Sequence, residues 1–559
     1  MKNINFSGKA KCFMIQGTTS SAGKSALTAG FLRYFSTQGY NSSPFKSQNM
    51  SLNSFVTDDG FEIAVSQAVQ SEAAFKNPVR QINPILIKPS SDYNMHLIVE
   101  GKFHGNMDFN NYNKKKNYFL KKAKESFEFL ARNNDLVILE GAGSPAEINL
   151  FKFDIANMGF AELYGIPVIL VADIERGGVF ASIFGTVKLL PLKWRKLIKG
   201  FIINKFRGDL KILDPGIKSI ESMLKIPCLG VLPYIKNLRL EAEDSLNLIN
   251  HSGDMGSNSL AKSRKLRIGI VHLDHISNFN EFDPLFFDDR FDARFFKEAP
   301  AELNRTYDET PSMLRRQRPG SNQRTSSARA LLFDMLIIPG TKSTISDILS
   351  MKKTGIFDYI KDFEKNGGVI MGICGGFQMM GKRIKDPFHI ESEIDATDGF
   401  GFFDIETIIK NEKKVLNRRY LLNSKSGSHG KVIRGYEIHN GRTFFAEGYS
   451  GENIYTGLFK PAETQDGHSS AENGILSKDK KKIGTYIHGL FGNGIFKDFI
   501  VDIVKEQGGA ACNCDTEKGD PRKLETDPYD MVKNRNYDLL SENIAKYIDI
   551  DMIKNFIGI

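Results

Sequence analysis

The chain has 559 residues, more than a single hydrophobic core usually holds, so two or more domains are expected. Hydrophobic residues make up 41% of it and charged residues 25%, a composition that excludes a mainly disordered protein. Lys and Arg outnumber Asp and Glu by 75 to 66, and this net charge of +9 is spread along the chain. Such a distribution favours a lysine-rich solvated surface over a nucleic-acid-binding face.

The sequence also bears on where the protein works. No apolar run approaches the roughly 18 residues that a membrane span needs, and the N-terminal stretch MKNINFSGKAKCFMIQG does not have the form of a secretory signal. The five cysteines, at positions 12, 228, 374, 512 and 514, are too few for a disulfide framework and form no CxxC pair. We therefore expect a cytoplasmic protein with no membrane partner.

Short apolar strand-like runs alternate with helical stretches, a pattern typical of parallel α/β domains. The first group of runs extends from residues 12–16 to residues 228–232, and a second group begins at 268–271. Residues 249–266 are rich in Ser, Gly, Asn and Lys, as a linker would be. The sequence thus predicts two doubly wound α/β domains, at 10–248 and 267–500, followed by a helical extension at 501–559.

A glycine-rich loop follows the first strand-like run and precedes a helical stretch. It reads Gly17-Thr18-Thr-Ser-Ser-Ala-Gly23-Lys24-Ser25, which predicts a phosphate-binding P-loop for ATP. Backbone N–H groups would surround the phosphates, Lys24 would neutralise their charge, and the Ser25 hydroxyl would bind Mg²⁺. Five residues separate the two glycines, one more than in the usual motif.

Three further side chains are predicted to serve this nucleotide site. Glu140 ends the strand Leu136-Val-Ile-Leu at the edge where α/β proteins bind ligands, so we expect it to be a metal ligand. Asp59, in Thr57-Asp-Asp-Gly60, is a second candidate metal ligand. Lys46, in FKSQNM, is predicted to bring a second amine to the phosphates.

Residues 304–329 contain six arginines and little apolar material. We interpret this segment as a surface insertion in the second domain, with an anion-binding arm as the alternative.

A cysteine follows the apolar strand Val369-Ile-Met-Gly-Ile in the run Gly372-Ile-Cys374-Gly375-Gly376. Such a glycine-flanked turn exposes a nucleophile at the end of a strand, above the first turn of a helix. The helix-end N–H groups stabilise negative charge there, so Cys374 is the predicted nucleophile and Gly375 a predicted oxyanion-hole donor. Gly340, in the turn Pro339-Gly-Thr-Lys-Ser after another strand, is the second predicted donor.

A thiol nucleophile needs a base, and two histidines are candidates. His488 ends a short strand-like run in GTYIHGLF, and His439 lies in GYEIHNGRT. We favour His488, partly on the resemblance described next.

The second domain resembles the class I glutamine amidotransferases, because it combines the cysteine turn, the Pro-Gly turn and a histidine late in its sequence. This resemblance implies a flavodoxin-like fold. The P-loop resembles the deviant P-loops of dethiobiotin synthetase and partition-type ATPases. Together, the whole chain resembles the cobyric acid synthase family of cobalamin biosynthesis. The segments that carry this resemblance are FKSQNMSLNS (45–54), EIAVSQAVQSEAA (62–74), NPILIKP (83–89), LEGAGSPAEINL (139–150), DIANMGFAELYGIPVILVADIERGGVFASIFGT (154–186), LDHISNFNEFDPL (273–285), PGTKST (339–344), GYEIHNGRT (435–443) and GTYIHGLF (484–491).

The resemblance implies a ligase that uses ATP, Mg²⁺ and glutamine to amidate four carboxylates of adenosylcobyrinic acid a,c-diamide. It implies no bound prosthetic group and no nucleic-acid partner, and it leaves a homo-oligomer open. Cobyrinic acid a,c-diamide synthase, which shares both domains, is the closest alternative. A partition-type ATPase with an inactive second domain is a remote one, because Cys374 and His488 are both retained.

The second domain departs from the general amidotransferase pattern at one position. Most members with a catalytic triad have Glu two residues after the histidine, whereas Gly489 and Leu490 follow His488 here. The carboxylate that orients His488 is therefore either missing or supplied from elsewhere, and Glu437 is one option.

Overall fold

The computed structural model describes residues 10–89, 94–236, 238, 265–299, 332–422, 430–446, 454–456, 458–462, 474–508 and 528–559. Most of the predicted linker (249–264) and all of the predicted arginine-rich insertion (304–329) lie outside these ranges. The chain forms two compact units, one built mainly from residues 1–244 and 525–559 and the other mainly from residues 245–414 and 418–524.

The first unit begins with twelve described strands and eight helices. Its strands are β1 (Lys11–Gly17), β2 (Ser42–Phe45), β3 (Gln48–Met50), β4 (Ser54–Val56), β5 (Glu62–Ala64), β6 (Ile85–Pro89), β7 (Asn94–Val99), β8 (Lys102–Asp108), β9 (Leu136–Glu140), β10 (Val168–Asp173), β11 (Ile198–Phe206) and β12 (Cys228–Pro233). Its helices are α1 (Lys24–Thr37), α2 (Val65–Ala73), α3 (Phe109–Lys114), α4 (Lys116–Asn133), α5 (Met158–Tyr164), α6 (Val179–Leu189), α7 (Leu192–Arg195) and α8 (Leu210–Leu224).

Six strands form the central sheet of this unit in the order β12-β11-β10-β1-β9-β2, and all neighbours are parallel. Strands buried on both faces read as continuous apolar runs, and the interior of β10, Val168-Ile-Leu-Val-Ala172, is fully buried. The chain runs from β1 outward to β2 and later returns to the other side of β1 through β10. The carboxyl ends of β1 and β9 therefore flank a point where the strand order reverses, the usual position of a ligand site in such folds.

The second unit contains thirteen described strands and five helices. Its strands are β13 (Leu266–Val271), β14 (Phe291–Phe296), β15 (Met335–Ile338), β16 (Val369–Ile373), β17 (Arg383–Lys385), β18 (Ala396–Asp398), β19 (Ile405–Leu422), β20 (Val432–Phe445), β21 (Ile454–Thr456), β22 (Phe459–Pro461), β23 (Ile475–Ser477), β24 (Lys482–Thr485) and β25 (Ile487–His488). Its helices are α9 (Asp283–Phe286), α10 (Thr344–Thr354), α11 (Ile356–Lys365), α12 (Gly375–Met379) and α13 (Gly494–Glu506).

The main sheet of the second unit has the order β14-β13-β15-β16-β24-β23-β21. Its first five strands are parallel, and their order along the chain is 2-1-3-4-5, that of the flavodoxin-like fold. A second sheet has the order β18-β17-β19-β20-β25, and β22 pairs with β19. The predicted fold class, two α/β domains with the second flavodoxin-like, is confirmed.

The last two helices of the chain, α14 (Pro528–Tyr547) and α15 (Ile550–Ile557), pack on the first unit. Gly30 of α1 makes close packing with α14 possible: a Cβ at this position would lie 2.6 Å from the Cδ1 of Ile544. Ile544 and Ile553 are fully buried in the same cluster as Phe31. The predicted boundary at residue 500 falls within α13.

Among the described residues, no helix is both long enough and apolar enough to cross a bilayer.

Candidate active sites

The glycine-rich loop connects β1 to α1 at the reversal point of the first sheet. Gly23 takes a left-handed backbone conformation (φ 96°) directly before α1, which favours glycine. A Cβ on Gly17 would lie 2.8 Å from the Thr19 carbonyl oxygen and 3.0 Å from the Nζ of Lys24. The buried Lys24 donates from Nζ to the carbonyl oxygens of Thr19 (3.0 Å) and Ser20 (3.2 Å). The loop is therefore tightly wrapped around a buried cation.

Glu140, at the carboxyl end of β9, is the centre of a buried polar cluster. Its Oε1 accepts hydrogen bonds from Ser25 Oγ at 2.8 Å and from Lys46 Nζ at 2.9 Å, and its Oε2 accepts one from Gln70 Nε2. The carboxylate is inaccessible to solvent. Because β9 is the parallel neighbour of β1, the strand pairing itself brings Glu140 to the P-loop. Three residues predicted for this site, Ser25, Lys46 and Glu140, thus lie together.

Asp59 lies elsewhere, in the exposed turn between β4 and β5. Its carboxylate accepts a hydrogen bond from Thr57 Oγ1 at 2.5 Å. No hydrogen bond or ion pair between described residues joins it to Glu140, Ser25 or Lys24.

The oxygen atoms of Ser25 and Glu140 fit a magnesium ion, which binds proteins through one or two oxygen ligands and completes its octahedron with phosphate oxygens and water. Within the part of the chain that the structure describes, there is no cluster of three or more His, Cys, Asp or Glu side chains suited to a metal. The arrangement therefore fits a metal that arrives with a nucleotide better than one held entirely by protein.

Cys374 occupies the turn between β16 and α12. Its φ of 52° and ψ of −108° are unusual for a residue with a side chain, and a strained turn of this kind is typical of a nucleophile at the end of a strand. The backbone N–H is held by the Thr485 carbonyl at 2.8 Å. The thiol donates to the carbonyl oxygen of Ile438 at 3.7 Å, and 7% of the residue remains exposed.

His488 lies against Cys374 and is completely buried. A Cβ on Gly340 would lie 3.1 Å from the Cε1 of His488 and 3.6 Å from the Cβ of Cys374, so Gly340 contacts both residues. The ring of Tyr436 stacks on the imidazole with a centroid separation of 5.2 Å. The imidazole Nε2 has no hydrogen bond to a described residue other than its interaction with Cys374.

The carboxylate that orients His488 is Glu281, in the short 3₁₀ turn Phe279–Phe282. Its Oε1 lies 2.9 Å from the imidazole Nδ1, and its Oε2 accepts the N–H of Gly489 at 3.2 Å. Burial by itself would lower the pKa of His488, but the charge of Glu281 and the interaction with Cys374 outweigh it and raise the pKa to about 10. The raised pKa favours the imidazolium form of His488 and makes this histidine a good acceptor for the Cys374 proton.

The option that Glu437 orients His488 is wrong. Glu437 instead binds Tyr420 OH at 2.8 Å, Lys414 Nζ at 2.7 Å and His439 Nε2 at 3.2 Å. Burial would raise its pKa, but the hydrogen bond from His439 and the charge of Lys414 hold the pKa at about 2. In β20, Glu437 is the neighbour of Ile487 rather than of the imidazole.

His439, the alternative base, has both ring nitrogens engaged away from the thiol. Nδ1 contacts the Gly441 carbonyl at 2.8 Å, Nε2 contacts Glu437, and Tyr486 stacks on the ring. Burial lowers the pKa of His439, although the hydrogen bond with Glu437 acts in the opposite direction.

The two glycines predicted to form the oxyanion hole lie near Cys374 but belong to different elements. Gly375 is the first residue of α12, directly after Cys374, and a Cβ there would lie 2.6 Å from the Cγ2 of Thr341. Gly340 precedes Thr341 in the turn after β15.

Four neighbouring strands explain how distant residues converge. Glu281, Gly340, Cys374 and His488 follow β13, β15, β16 and β24, which are consecutive parallel strands of one sheet. The carboxyl ends of such strands share an edge, so side chains from four separate parts of the chain meet there.

Two known families match the chain, one in each unit. Residues 13–248 match the family described as the CobQ/CobB/MinD/ParA nucleotide binding domain. Residues 267–496 match the family described as the CobB/CobQ-like glutamine amidotransferase domain.

Curated relatives match nearly the whole chain. The cobyric acid synthase of Caldanaerobacter subterraneus subsp. tengcongensis is 39% identical over 545 residues, 97% of each chain. The cobyric acid synthase of Clostridium acetobutylicum is 39% identical over 552 residues, 98% of each chain. The probable cobyric acid synthase of Methanocaldococcus jannaschii is 41% identical over 506 residues, 89% of this chain and 93% of its own. The chain therefore belongs to the cobyric acid synthase family, as its motifs predicted.

Proposed function

We propose that this protein uses ATP and glutamine to amidate four peripheral carboxylates (b, d, e and g) of adenosylcobyrinic acid a,c-diamide, giving adenosylcobyric acid. Membership of the cobyric acid synthase family makes it an amidating enzyme of cobalamin biosynthesis. The proposal adds the substrate, the positions amidated and the residues. It assigns the synthetase reaction to the domain predicted at 10–248 and glutamine hydrolysis to the domain predicted at 267–500.

In the second domain, the Cys374 thiol gives its proton to His488, and the resulting thiolate attacks the side-chain amide carbon of glutamine. The imidazolium of His488 gives its proton to the departing nitrogen, so that ammonia leaves and a γ-glutamyl thioester remains. His488 then accepts a proton from water, which attacks the thioester and releases glutamate. Glu281 holds the imidazole by Nδ1 and stabilises its positive charge, and the N–H groups of Gly340 and Gly375 stabilise the oxyanion.

In the first domain, a substrate carboxylate attacks the γ-phosphorus of ATP, forming an acyl phosphate and ADP. Ammonia then attacks the acyl carbon and phosphate leaves. Catalysis of phosphoryl transfer depends mainly on positioning and on neutralising charge. The backbone of Gly17, Thr18 and Gly23 would surround the phosphates, Lys24 and Lys46 would neutralise them, and Ser25 and Glu140 would hold Mg²⁺. When bound, Mg²⁺ supplies further neutralisation of the β- and γ-phosphate oxygens.

The arrangement of Cys374, His488 and Glu281 carries the proposal. A buried imidazole held by a carboxylate on one nitrogen, with a strained cysteine facing the other, is an arrangement for thiol nucleophilic catalysis. An inactive amidotransferase-like domain has no need of it. This observation supports an amidating enzyme over the partition-type ATPase.

Mass spectrometry of the product tests the proposal. Purified protein with ATP, Mg²⁺, glutamine and adenosylcobyrinic acid a,c-diamide should convert four acid groups to amides in succession. Conversion of cobyrinic acid to its a,c-diamide, with no reaction of the diamide itself, would instead support the alternative, cobyrinic acid a,c-diamide synthase.

A further inference from the structure

Helix α2 turns an unusually polar face to the interior of the first unit. Four polar side chains on it, Ser66, Gln67, Gln70 and Ser71, are between 0% and 6% exposed. The helix belongs to the segment 62–74, for which the reaction described above has no role. Buried amides are costly unless their hydrogen-bonding groups are satisfied, so their partners matter.

Gln67 has one satisfied end and one unsatisfied end. Its Oε1 accepts hydrogen bonds from Asn49 Nδ2 at 2.9 Å and from Ser66 Oγ at 3.2 Å. These donors identify the oxygen, so the other end is the NH₂ group. That nitrogen is buried and has no partner among the described residues.

Gln70 has the opposite arrangement. Its Nε2 donates to Glu140 Oε2 and to the Ser25 carbonyl oxygen at 3.4 Å. These acceptors identify the nitrogen, so the other end is the carbonyl oxygen. That oxygen is also buried without a described partner.

The two glutamines lie three residues apart on α2, and Gln70 contacts the nucleotide site. Residues three apart on a helix share a face, with Cβ atoms about 5–6 Å from each other. Gln70 also contacts Ser25 and Glu140, two residues of the nucleotide site. One helix face therefore offers a donor on Gln67 and an acceptor on Gln70, and Gln70 connects this face to the nucleotide site.

A primary carboxamide is the group that complements this pair. Its oxygen accepts one hydrogen bond and its nitrogen donates one, whereas an ionised carboxylate offers only acceptors and would set an oxygen against Gln70 Oε1. Leaving a buried polar group unsatisfied is costly, so such a pair selects strongly for the ligand that satisfies both groups.

We propose that Gln67 and Gln70 bind a carboxamide that the substrate already carries, and so orient a neighbouring carboxylate toward the phosphates. This inference rests on the proposed function, because it requires a substrate that bears both amides and acids. It makes the existing amides of the corrinoid a determinant of recognition.

Binding of two corrinoids tests the proposal independently of turnover. The full-length protein is titrated calorimetrically with cobyrinic acid a,c-diamide and with cobyrinic acid, which has acids in place of the two amides. The native protein should bind the diamide more tightly. In Gln67→Glu, which keeps an oxygen for Asn49 and Ser66 but replaces the NH₂ donor, this preference should fall about tenfold.

Two further variants guard against a general loss of structure. Gln67→Met removes the donor without adding a charge, and its preference for the diamide should fall similarly. Ser126→Ala removes a different buried hydroxyl without a described partner, on α4, and the preference should stay native. Circular dichroism shows which variants fold.

The outcomes separate the two proposals. If the native protein amidates the diamide but Gln67→Met and Gln67→Glu keep the native preference, binding of a carboxamide by Gln67 and Gln70 is refuted. Water would then satisfy the two buried groups. If the native protein neither binds nor amidates either corrinoid, the proposed function fails, and the inference fails with it.

Discussion

Glu281 precedes His488 by 207 positions in the chain, yet its Oε1 is 2.9 Å from the imidazole Nδ1. The sequence allowed Cys374 and His488 to be predicted because the glycine-flanked turn and the motif GTYIHGLF are local patterns. Nothing local distinguishes Glu281 from other glutamates in a loop. Its position depends on the pairing of β13 with β15, and the only signal was that it lies in a segment, 273–285, that carried the family resemblance.

Replacing Glu281 with Gln should strongly slow glutamine hydrolysis. The amide cannot stabilise an imidazolium, so we expect a loss of roughly 10²–10⁴-fold in kcat for glutamate release, with ammonia-dependent amidation retained. Glu393→Gln, at an exposed position of the second unit, is the matched control and should behave like the native protein.

The same variant has a pH signature that a merely structural role would not produce. In the fold the pKa of His488 is raised from 6.5 to about 10, so its proton is kept through neutral pH and lost as the pH rises toward 10. Removing the charge of Glu281 should bring that loss to lower pH. An alkaline limb of the glutaminase profile that stays where it is in the native protein would refute the role of Glu281.

At the P-loop, Lys24→Ala should abolish ATP-dependent amidation with either nitrogen source. The reason is that a buried ammonium next to the phosphates would be lost, whereas Cys374 and His488 are untouched. Product formation from glutamine and from ammonium chloride is measured alongside glutamate release. Lys211→Ala, on an exposed turn of α8, serves as the control. Undiminished amidation in Lys24→Ala would contradict the assignment.

At the scale of elements, the sequence could locate those candidate site residues that lie at or just after the end of a single predicted strand. Lys24, Glu140 and Cys374 follow or end β1, β9 and β16 in the structure, as their sequence positions predicted. Asp59 was selected from a short acidic motif, but it lies in an exposed hairpin turn because β4 and β5 pair with each other outside the central sheet. An acidic motif alone does not show that the strands on either side of it pair with each other, so the sequence could not predict this hairpin.

The C-terminal helices illustrate the same limit. Residues 501–559 were predicted to form a helical extension, but a helix pattern does not say against which surface the helices pack. Ile544 and Ile553 are buried against α1 and the central sheet of the first unit. The last elements of the chain thus complete a core whose other members lie in the first 240 residues.

This packing predicts a specific effect on stability. Ile544→Ala should destabilise the first unit by about 2–5 kcal/mol, because it leaves a cavity between α14 and α1. The single tryptophan, Trp194, is buried in α7 of that unit, so its fluorescence during denaturation by urea reports unfolding there. Ile212→Ala, at a site that is 83% exposed, should change the midpoint little. Equal midpoints for the two variants would contradict the packing.

For the molecule as a whole, family and fold class could be predicted because many motifs lie along nearly the entire chain. What the sequence could not supply is the set of side chains that meet only in the fold: Glu281 at His488 through the order of the strands, and Gln70 at Glu140 through the packing of α2. Both Glu140 and His488 lie at the carboxyl edge of parallel strands. The proposed chemistry follows the same division, with a thiol site in one unit and a phosphate site in the other.

The account depends on nitrogen being released by Cys374 and used at the P-loop, and a single comparison of nitrogen sources tests this most directly. Purified Cys374→Ala is given ATP, Mg²⁺ and the corrinoid diamide with either glutamine or ammonium chloride, and Cys228→Ala is the control. We predict no glutamate and no amidation with glutamine, but amidation at close to the native rate with ammonium chloride. Continued glutamine hydrolysis by Cys374→Ala, or loss of amidation from ammonium chloride in a folded protein, would contradict the account.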